Sequence, residues 1–150
     1  MTRLLVIDDE VEVRAAVARR LTREGFDVTT AEGEIEGVGL IQGADRPFDL
    51  ITTDMVMEDP DSGIRTLEAA LSRDLFTEVI VLTAYGNVNG AVECMRRGAF
   101  DYVEKNIPGV DVYELLVMKV NLALERRRNS QSTVKHYAEI GRRHGVTFPD

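Results

Sequence analysis

Asp8, Asp9 and Glu10 follow the apolar run Leu4-Leu5-Val6-Ile7, and three other reactive side chains stand in the same relation to later apolar runs. Asp54 follows Leu50-Ile51-Thr52-Thr53, Thr83 follows Val79-Ile80-Val81-Leu82, and Lys105 comes just after Phe100-Asp101-Tyr102-Val103. If these runs are strands of one sheet, three aspartates, a hydroxyl and an ammonium converge on one edge. Each residue alone reads as an ordinary strand end or helix cap. The set does not. Two unit negative charges about 4 Å apart repel by roughly 4 kcal/mol at an effective dielectric near 20, so close carboxylates need a cation or must take up protons. Oxygen donors without a nearby His or Cys favour Mg²⁺, or a similar ion such as Mn²⁺. Mg²⁺ commonly fills its remaining positions with water and a phosphate oxygen, so such a site anticipates a phosphoryl group. Lys105 then supplies a point charge and Thr83 a hydroxyl for phosphate oxygens, which leaves Asp54 as the nucleophile.

The elements that must position these residues are legible in the spacing. Three of the apolar runs show little polar alternation, as strands covered on both faces do, and Val28-Thr29-Thr30 is a weaker fifth run. Between them, Val13, Ala16, Val17 and Leu21 have helical spacing before Gly25, and Val88, Ala91, Val92 and Met95 repeat it before Gly98. Asp111 and Glu114 have capping-box spacing and open a last helix. A strand-helix unit repeated five times predicts a mostly parallel sheet with right-handed crossovers and helices on both faces. Function in such sheets gathers beyond the C-terminal strand ends, near the point where strand order reverses.

Composition narrows the class. The chain has 150 residues, enough for one domain, and 44% of them are hydrophobic, enough for a core. Its net charge of −8 disfavours overall attraction to nucleic acid or anionic membranes. The charge is split: residues 1–125 balance at −12 and residues 126–150 at +4. A single cysteine, Cys94, excludes a disulfide-stapled scaffold and reads as a small helix side chain. The first apolar run is too short for a signal peptide or a membrane span, so a soluble cytoplasmic protein is expected.

The Asp8-Asp9 pair, Asp54, the stretch Leu82-Thr83-Ala84-Tyr85-Gly86 and the stretch Gly98-Ala99-Phe100-Asp101-Tyr102-Val103-Glu104-Lys105 together resemble the receiver domain of bacterial two-component response regulators. The stretch from Leu82 to Lys105 is most similar to receivers of the nitrogen-regulator type. The resemblance implies a flavodoxin-like (βα)5 doubly wound sheet of five parallel strands in the order 2-1-3-4-5. Its receiver would cover residues 1–128, followed at 129–150 by a tail, a linker or a short extra helix. It implies Asp54 as phosphoacceptor, and Asp9 and Asp54 as direct Mg²⁺ ligands. Asp8 would act mainly through water and Val56 would give a backbone carbonyl. Thr83 and Lys105 would bind the phosphoryl group, and Tyr102 would rotate inward when Thr83 moves. Val56 and Tyr85 would tune dephosphorylation by gating water. The implied phosphodonor is a sensor histidine kinase or histidine phosphotransfer protein. The switching surface would comprise the fourth helix, fifth strand and fifth helix, which would pair two copies or bind an output partner. The chain would catalyse only its own phosphorylation and dephosphorylation.

Two departures from the family pattern stand out. Receivers commonly carry Asp-x-x-Met-Pro with Gly eight residues after the Asp; here Met57 is in place, Glu58 replaces the proline and Gly63 lies nine residues on. The acidic segment from Glu58 to Gly63 reads as a surface insertion of one residue. After Lys105 stands Asn106 where the family usually has a cis proline, so a trans Lys105-Asn106 bond is expected.

Ten of the thirteen residues from Val112 to Leu124 are apolar, more than one helix face can bury. A second copy or the chain's own tail would cover the surplus, the tail through a short sixth helix around Val134, Tyr137 and Ala138. Arg126-Arg127-Arg128 followed by Asn129-Ser130-Gln131-Ser132 reads as a helix end running into a linker. No helix-turn-helix pattern follows, so no direct nucleic-acid binding is expected. Two other function classes fit parts of the pattern. A Mg²⁺-dependent phosphohydrolase with an aspartyl-phosphate intermediate would share the nucleophile, although Asp54-Met55-Val56 lacks the second Asp usual there. A pseudo-receiver that works without phosphorylation would have no need of the complete set Asp8, Asp9, Asp54, Thr83 and Lys105.

Overall fold

The computed structural model describes residues 1–84 and 88–145. Strands and helices alternate throughout: β1 (Arg3–Ile7), α1 (Val11–Arg23), β2 (Asp27–Ala31), α2 (Glu34–Gly43), β3 (Leu50–Asp54), α3 (Ser62–Arg73), β4 (Glu78–Thr83), α4 (Val88–Arg96), β5 (Asp101–Glu104) and α5 (Val112–Arg143). The five strands form one sheet in the order β2-β1-β3-β4-β5, and every pairing is parallel. This is the flavodoxin-like doubly wound fold: the alternation predicts its parallel sheet, and the family resemblance its strand order.

The unbroken apolar runs have a direct cause. Along β1, Leu4 and Val6 face a layer built from α1 and α5, while Leu5 and Ile7 face the layer of α2, α3 and α4. Both faces are covered, so neither set of side chains is polar. The weak run Val28-Thr29-Thr30 lies in β2 at the sheet edge, where only Ala31 is buried. The helix ends follow the glycines. Gly25 (φ 97°) and Gly98 (φ 113°) adopt left-handed backbone, with Phe26 N–H donating to Leu21 O and Ala99 N–H to Cys94 O. These are Schellman closures of α1 and α4. In α4 the buried stripe is Ala91 and Cys94, whereas Val92 and Met95 are partly exposed, a shift from the spacing-based reading. Cys94 packs 3.5 Å from the Met55 sulfur, and burial pushes its thiol up to about 11.

At α5 the Asp111 carboxylate caps the helix, accepting from the N–H groups of Tyr113 and Glu114. The helix then runs 32 residues without a break, about 48 Å. That overturns the linker or separate short sixth helix read from the sequence after Arg128. Asn129, Ser130, Gln131 and Ser132 are modest helix formers, not breakers, and neither Gly nor Pro interrupts the run before Gly141. The arginine run is not simply a solvated helix end either. Arg126 makes a bidentate contact with Glu78 (2.6 and 3.1 Å) and lies over the Phe100 ring. Arg127 is buried and bonded to Asp49 (3.0 Å) and Asp74 (3.3 Å). Met118 and Leu122, on the apolar surplus of α5, remain half exposed.

Candidate functional site

The register of the sheet assembles the site. Ile7 pairs with Thr53, so the next residues, Asp8 and Asp54, emerge side by side at the C-terminal edge. Thr53 and Val81 pair, as do Thr83 and Glu104, which brings Thr83 and Lys105 to the same edge from β4 and β5. The reversal of strand order falls between β1 and β3, beneath the two aspartates.

Lys105 begins two strands away from β3 and three from β1, and strands are spaced about 4.8 Å apart, so a long flexible stem is required. Its backbone N–H donates to Thr83 O, which aims the side chain back across the edge. The ammonium then reaches Asp54 Oδ2 (2.9 Å), Asp8 Oδ2 (3.0 Å) and Glu10 Oε1 (2.9 Å). Among the described residues there is no cis peptide bond, so Lys105-Asn106 is trans as the missing proline predicts. Asp8 also accepts from Glu10 N–H, and Asp54 Oδ1 from Met55 N–H.

Burial governs the charges here. Asp8 and Asp54 are buried, and Asp9 and Glu10 are exposed at the rim. Desolvation pushes the Asp54 carboxyl up to about 6 against the pull of Lys105, and the charges of Asp8 and Asp9 add to the rise. Desolvation raises Asp8 as well, opposed by the Glu10 N–H and Lys105. Burial works against the Lys105 charge, yet hydrogen bonds to Glu10 and Asp54 carry its pKa above the ordinary ammonium value. One ammonium thus faces three carboxylates at 3.0 Å or less and leaves negative charge in excess. Carboxylate oxygens of Asp8, Asp9, Glu10 and Asp54 all lie within 4.8 Å of one another, a hard-oxygen donor set that fits a divalent cation such as Mg²⁺. Glu10, which the sequence placed in the cluster without a role, is the third partner of Lys105.

Thr83 is fully buried at the end of β4. Tyr102 is half-buried on β5, where Lys119 donates to its backbone carbonyl and sits 5.8 Å from the ring centroid. The Val56 side chain is partly exposed. Tyr85 lies outside the described residues.

The loop after Asp54 is more than a surface insertion. Gly63 N–H donates to Met55 O (2.9 Å), and a Cβ at Gly63 would lie 2.9 Å from Asp54 O and Met55 Cα, both backbone atoms that cannot swing away. The extra residue therefore leaves Gly63 packed on the end of β3. Gly63→Ala is expected to cost about 1–3 kcal/mol in urea unfolding. A cost below about 0.5 kcal/mol would show that the backbone yields. Glu58 turns away from the site and accepts from Glu34 N–H (3.0 Å) and Ile35 N–H (3.1 Å) at the start of α2. Arg65 joins Glu34 (2.7 Å to each oxygen) to Asp59. Pattern reading missed these contacts and those of Arg126 and Arg127. Apart from Glu58 and Asp59 in the loop, their acidic partners lie at the start of α2, at the end of α3 and at N-terminal strand ends, away from the C-terminal edge of the sheet.

Known proteins point the same way. The family model for the response regulator receiver domain matches residues 4–117. The acid tolerance regulatory protein ActR of Rhizobium meliloti (strain 1021) is 33% identical over 129 residues, 86% of this chain and 65% of ActR. The regulatory protein AtoC of Escherichia coli (strain K12) is 36% identical over 140 residues, 93% of this chain but 28% of AtoC. The chain thus spans less than two thirds of the length of either relative. The crystal structure of NtrX from Brucella abortus superposes with a TM-score of 0.78 at 28% identity, covering 89% of this chain and 30% of that one. With the sheet order, the acidic strand ends and these relatives in agreement, the chain, which is similar to receivers of the nitrogen-regulator type such as that of NtrX, belongs to the response regulator receiver domain family.

Proposed function

We propose that this chain is a phosphorylation-dependent switch in which Asp54 takes a phosphoryl group from a sensor histidine kinase or histidine phosphotransfer protein. The observation that carries this reading is the convergence of Lys105 on Asp54 and Asp8 beside a set of four carboxylates. An Asp54 carboxylate oxygen attacks phosphorus in line. The bond from phosphorus to the donor's imidazole nitrogen, or to the oxygen of acetyl phosphate, breaks, and its electron pair leaves with the donor. Lys105 moves from a carboxylate oxygen to a phosphoryl oxygen, and the Thr83 hydroxyl donates to another. Asp9, Asp54 and the Val56 carbonyl would hold Mg²⁺, with Asp8 acting through water; when bound, the ion would neutralise charge at the transferring group. Water later hydrolyses the acyl phosphate, and Val56 and Tyr85 govern its access.

Residues 1–128 form the receiver in this reading, and 129–150 an extension that begins on the same helix. Val92 and Met95 of α4 and Met118 and Leu122 of α5 are exposed apolar residues on the elements flanking β5. They support pairing of two copies through this surface, with Tyr102 and Thr83 as the moving parts. Arg126 and Arg127 are occupied by carboxylates, which favours protein partners over direct nucleic-acid contact. Among the described residues no helix is long and apolar enough to cross a membrane, which fits action in the cytoplasm.

The test is intact mass after incubation with Mg²⁺ and acetyl phosphate. One phosphoryl adduct per chain is expected, lost on chelation and in Asp54→Asn. An adduct that persists in Asp54→Asn would move the acceptor elsewhere, and the absence of any adduct would return the chain to the pseudo-receiver class.

A further inference from the structure

The acidic loop between β3 and α3 contains a device that the phosphoryl chemistry does not explain. Glu58 lies 24 and 23 residues from Glu34 and Ile35, yet its two oxygens accept one backbone N–H from each. These are the first N–H groups of α2, and they are otherwise without a local cap: Gly33, at the cap position, has no side chain to offer. The absence of a side chain at Gly33 is also what admits the carboxylate. A Cβ there would lie 2.5 Å from Glu58 Oε1. The Gly33 backbone is extended, so alanine could adopt its conformation; the obstacle is the carboxylate alone. Arg65 of α3 closes the other side, bonded to both oxygens of Glu34 and to Asp59 of the loop. The loop is thereby fastened outward to α2 and inward to β3, where Gly63 N–H and Asp54 Oδ1 hold the backbone of Met55.

We infer that Glu58 is a positioning residue for the cation site: by capping α2 from across the loop, it sets the path of Val56-Met57 and so places the Val56 carbonyl against Asp54 and Asp9. The inference rests on the functional reading above. Consecutive Cα atoms are about 3.8 Å apart, so an anchor two residues from Val56 leaves its peptide little freedom. Partners that orient metal ligands typically contribute about 10- to 100-fold in affinity. Here one carbonyl among several ligands is affected.

The experiment is a calorimetric Mg²⁺ titration of the unphosphorylated chain, with thermal midpoints recorded in EDTA. Glu58→Ala is expected to weaken Mg²⁺ binding about five- to tenfold. Removing an acidic group also lowers the local field, so two further variants separate charge from position. Asp61→Asn removes one charge from the same loop and is expected to change the affinity less than about twofold. Gly33→Ala changes no charge but evicts the Glu58 carboxylate, and is expected to reproduce the Glu58→Ala loss. In the Glu58→Ala background Gly33→Ala should then add nothing. Unchanged Mg²⁺ affinity in Glu58→Ala and Gly33→Ala, with a lowered thermal midpoint alone, would overturn the inference and leave a purely structural cap. An equal loss in Asp61→Asn would overturn it in favour of charge alone. Failure of the wild-type chain to bind Mg²⁺ would overturn the functional reading and this inference with it.

Discussion

Lys105→Met is expected to destabilise the magnesium-free protein by about 2–4 kcal/mol at pH 7 and to slow adduct formation from acetyl phosphate by about 10²-fold. Lys105 is the shared cation of Asp8, Glu10 and Asp54, and its ammonium is largely buried. Removing it leaves two buried carboxylates facing each other with only backbone N–H partners. The pH dependence separates this cause from lost packing. In the wild type without metal, Asp54 titrates near 6 when folded against 3.8 for an unperturbed aspartate. Between those values the native state keeps a proton that the unfolded chain has lost. Native protein therefore binds more protons, and stability falls as pH rises through the window, by about 3 kcal/mol, then levels off above it. Without Lys105 the influence that lowers Asp54 and Asp8 is gone, and the fall continues to higher pH. The gap between wild type and variant should widen from about pH 5 to about pH 8 in EDTA and narrow when Mg²⁺ is added. Urea unfolding across that range measures it, and a gap independent of pH would mean that packing, not charge, is what the lysine contributes.

Arg127→Met is expected to cost about 3 kcal/mol, roughly 6–12 °C in thermal midpoint for a chain of this size. The guanidinium is buried between Asp49, which precedes β3, and Asp74, which ends α3, and it ties the middle of α5 to the edge of the sheet opposite the site. Asp49 also accepts from Arg3 N–H and Asp74 from Phe76 N–H, so truncation leaves both carboxylates partly satisfied but without a counter-charge. Methionine keeps most of the volume, which makes the loss chiefly electrostatic. Arg128→Met, one position along the same run and exposed, should fall within about 0.5 kcal/mol of wild type. Equal losses in the two variants would show that the run acts through its net charge on the helix rather than through the buried contact.

Arg127 also marks where reading along the chain stops working. The run Arg126-Arg127-Arg128 with polar residues after it has the composition of a helix end, and nothing local distinguishes the arginine that is buried from the one that is not. The difference is set by helix phase against Asp49 and Asp74, residues 78 and 53 positions away. Glu58 is a second case. In sequence it replaces a proline and opens an acidic stretch, which is the composition of an exposed loop. Only the approach of α2 supplies the two N–H groups that its carboxylate accepts.

The site itself was legible for a simple physical reason. A parallel sheet with helices on both faces has largely apolar strands, so strand ends are visible where the apolar runs give way to charged and polar residues, and parallel pairing sends all those ends to one edge. Asp8, Asp54, Thr83 and Lys105 could therefore be grouped from the sequence alone, and the chemistry expected of them rests on residue type. The Schellman glycines and the Asp111 cap follow equally from short-range pattern, while the strand order came with the family resemblance. Tertiary structure decided what depends on distances between residues far apart in the chain. It decided that Lys105 serves three carboxylates rather than one, that Glu10 is among them, that α5 continues through Ser132 without a linker, and that the loop after Asp54 is stapled to α2. Local pattern reports which face of an element is apolar. It cannot report which charged side chain on the other faces will find a partner, because that is set by how the finished elements meet.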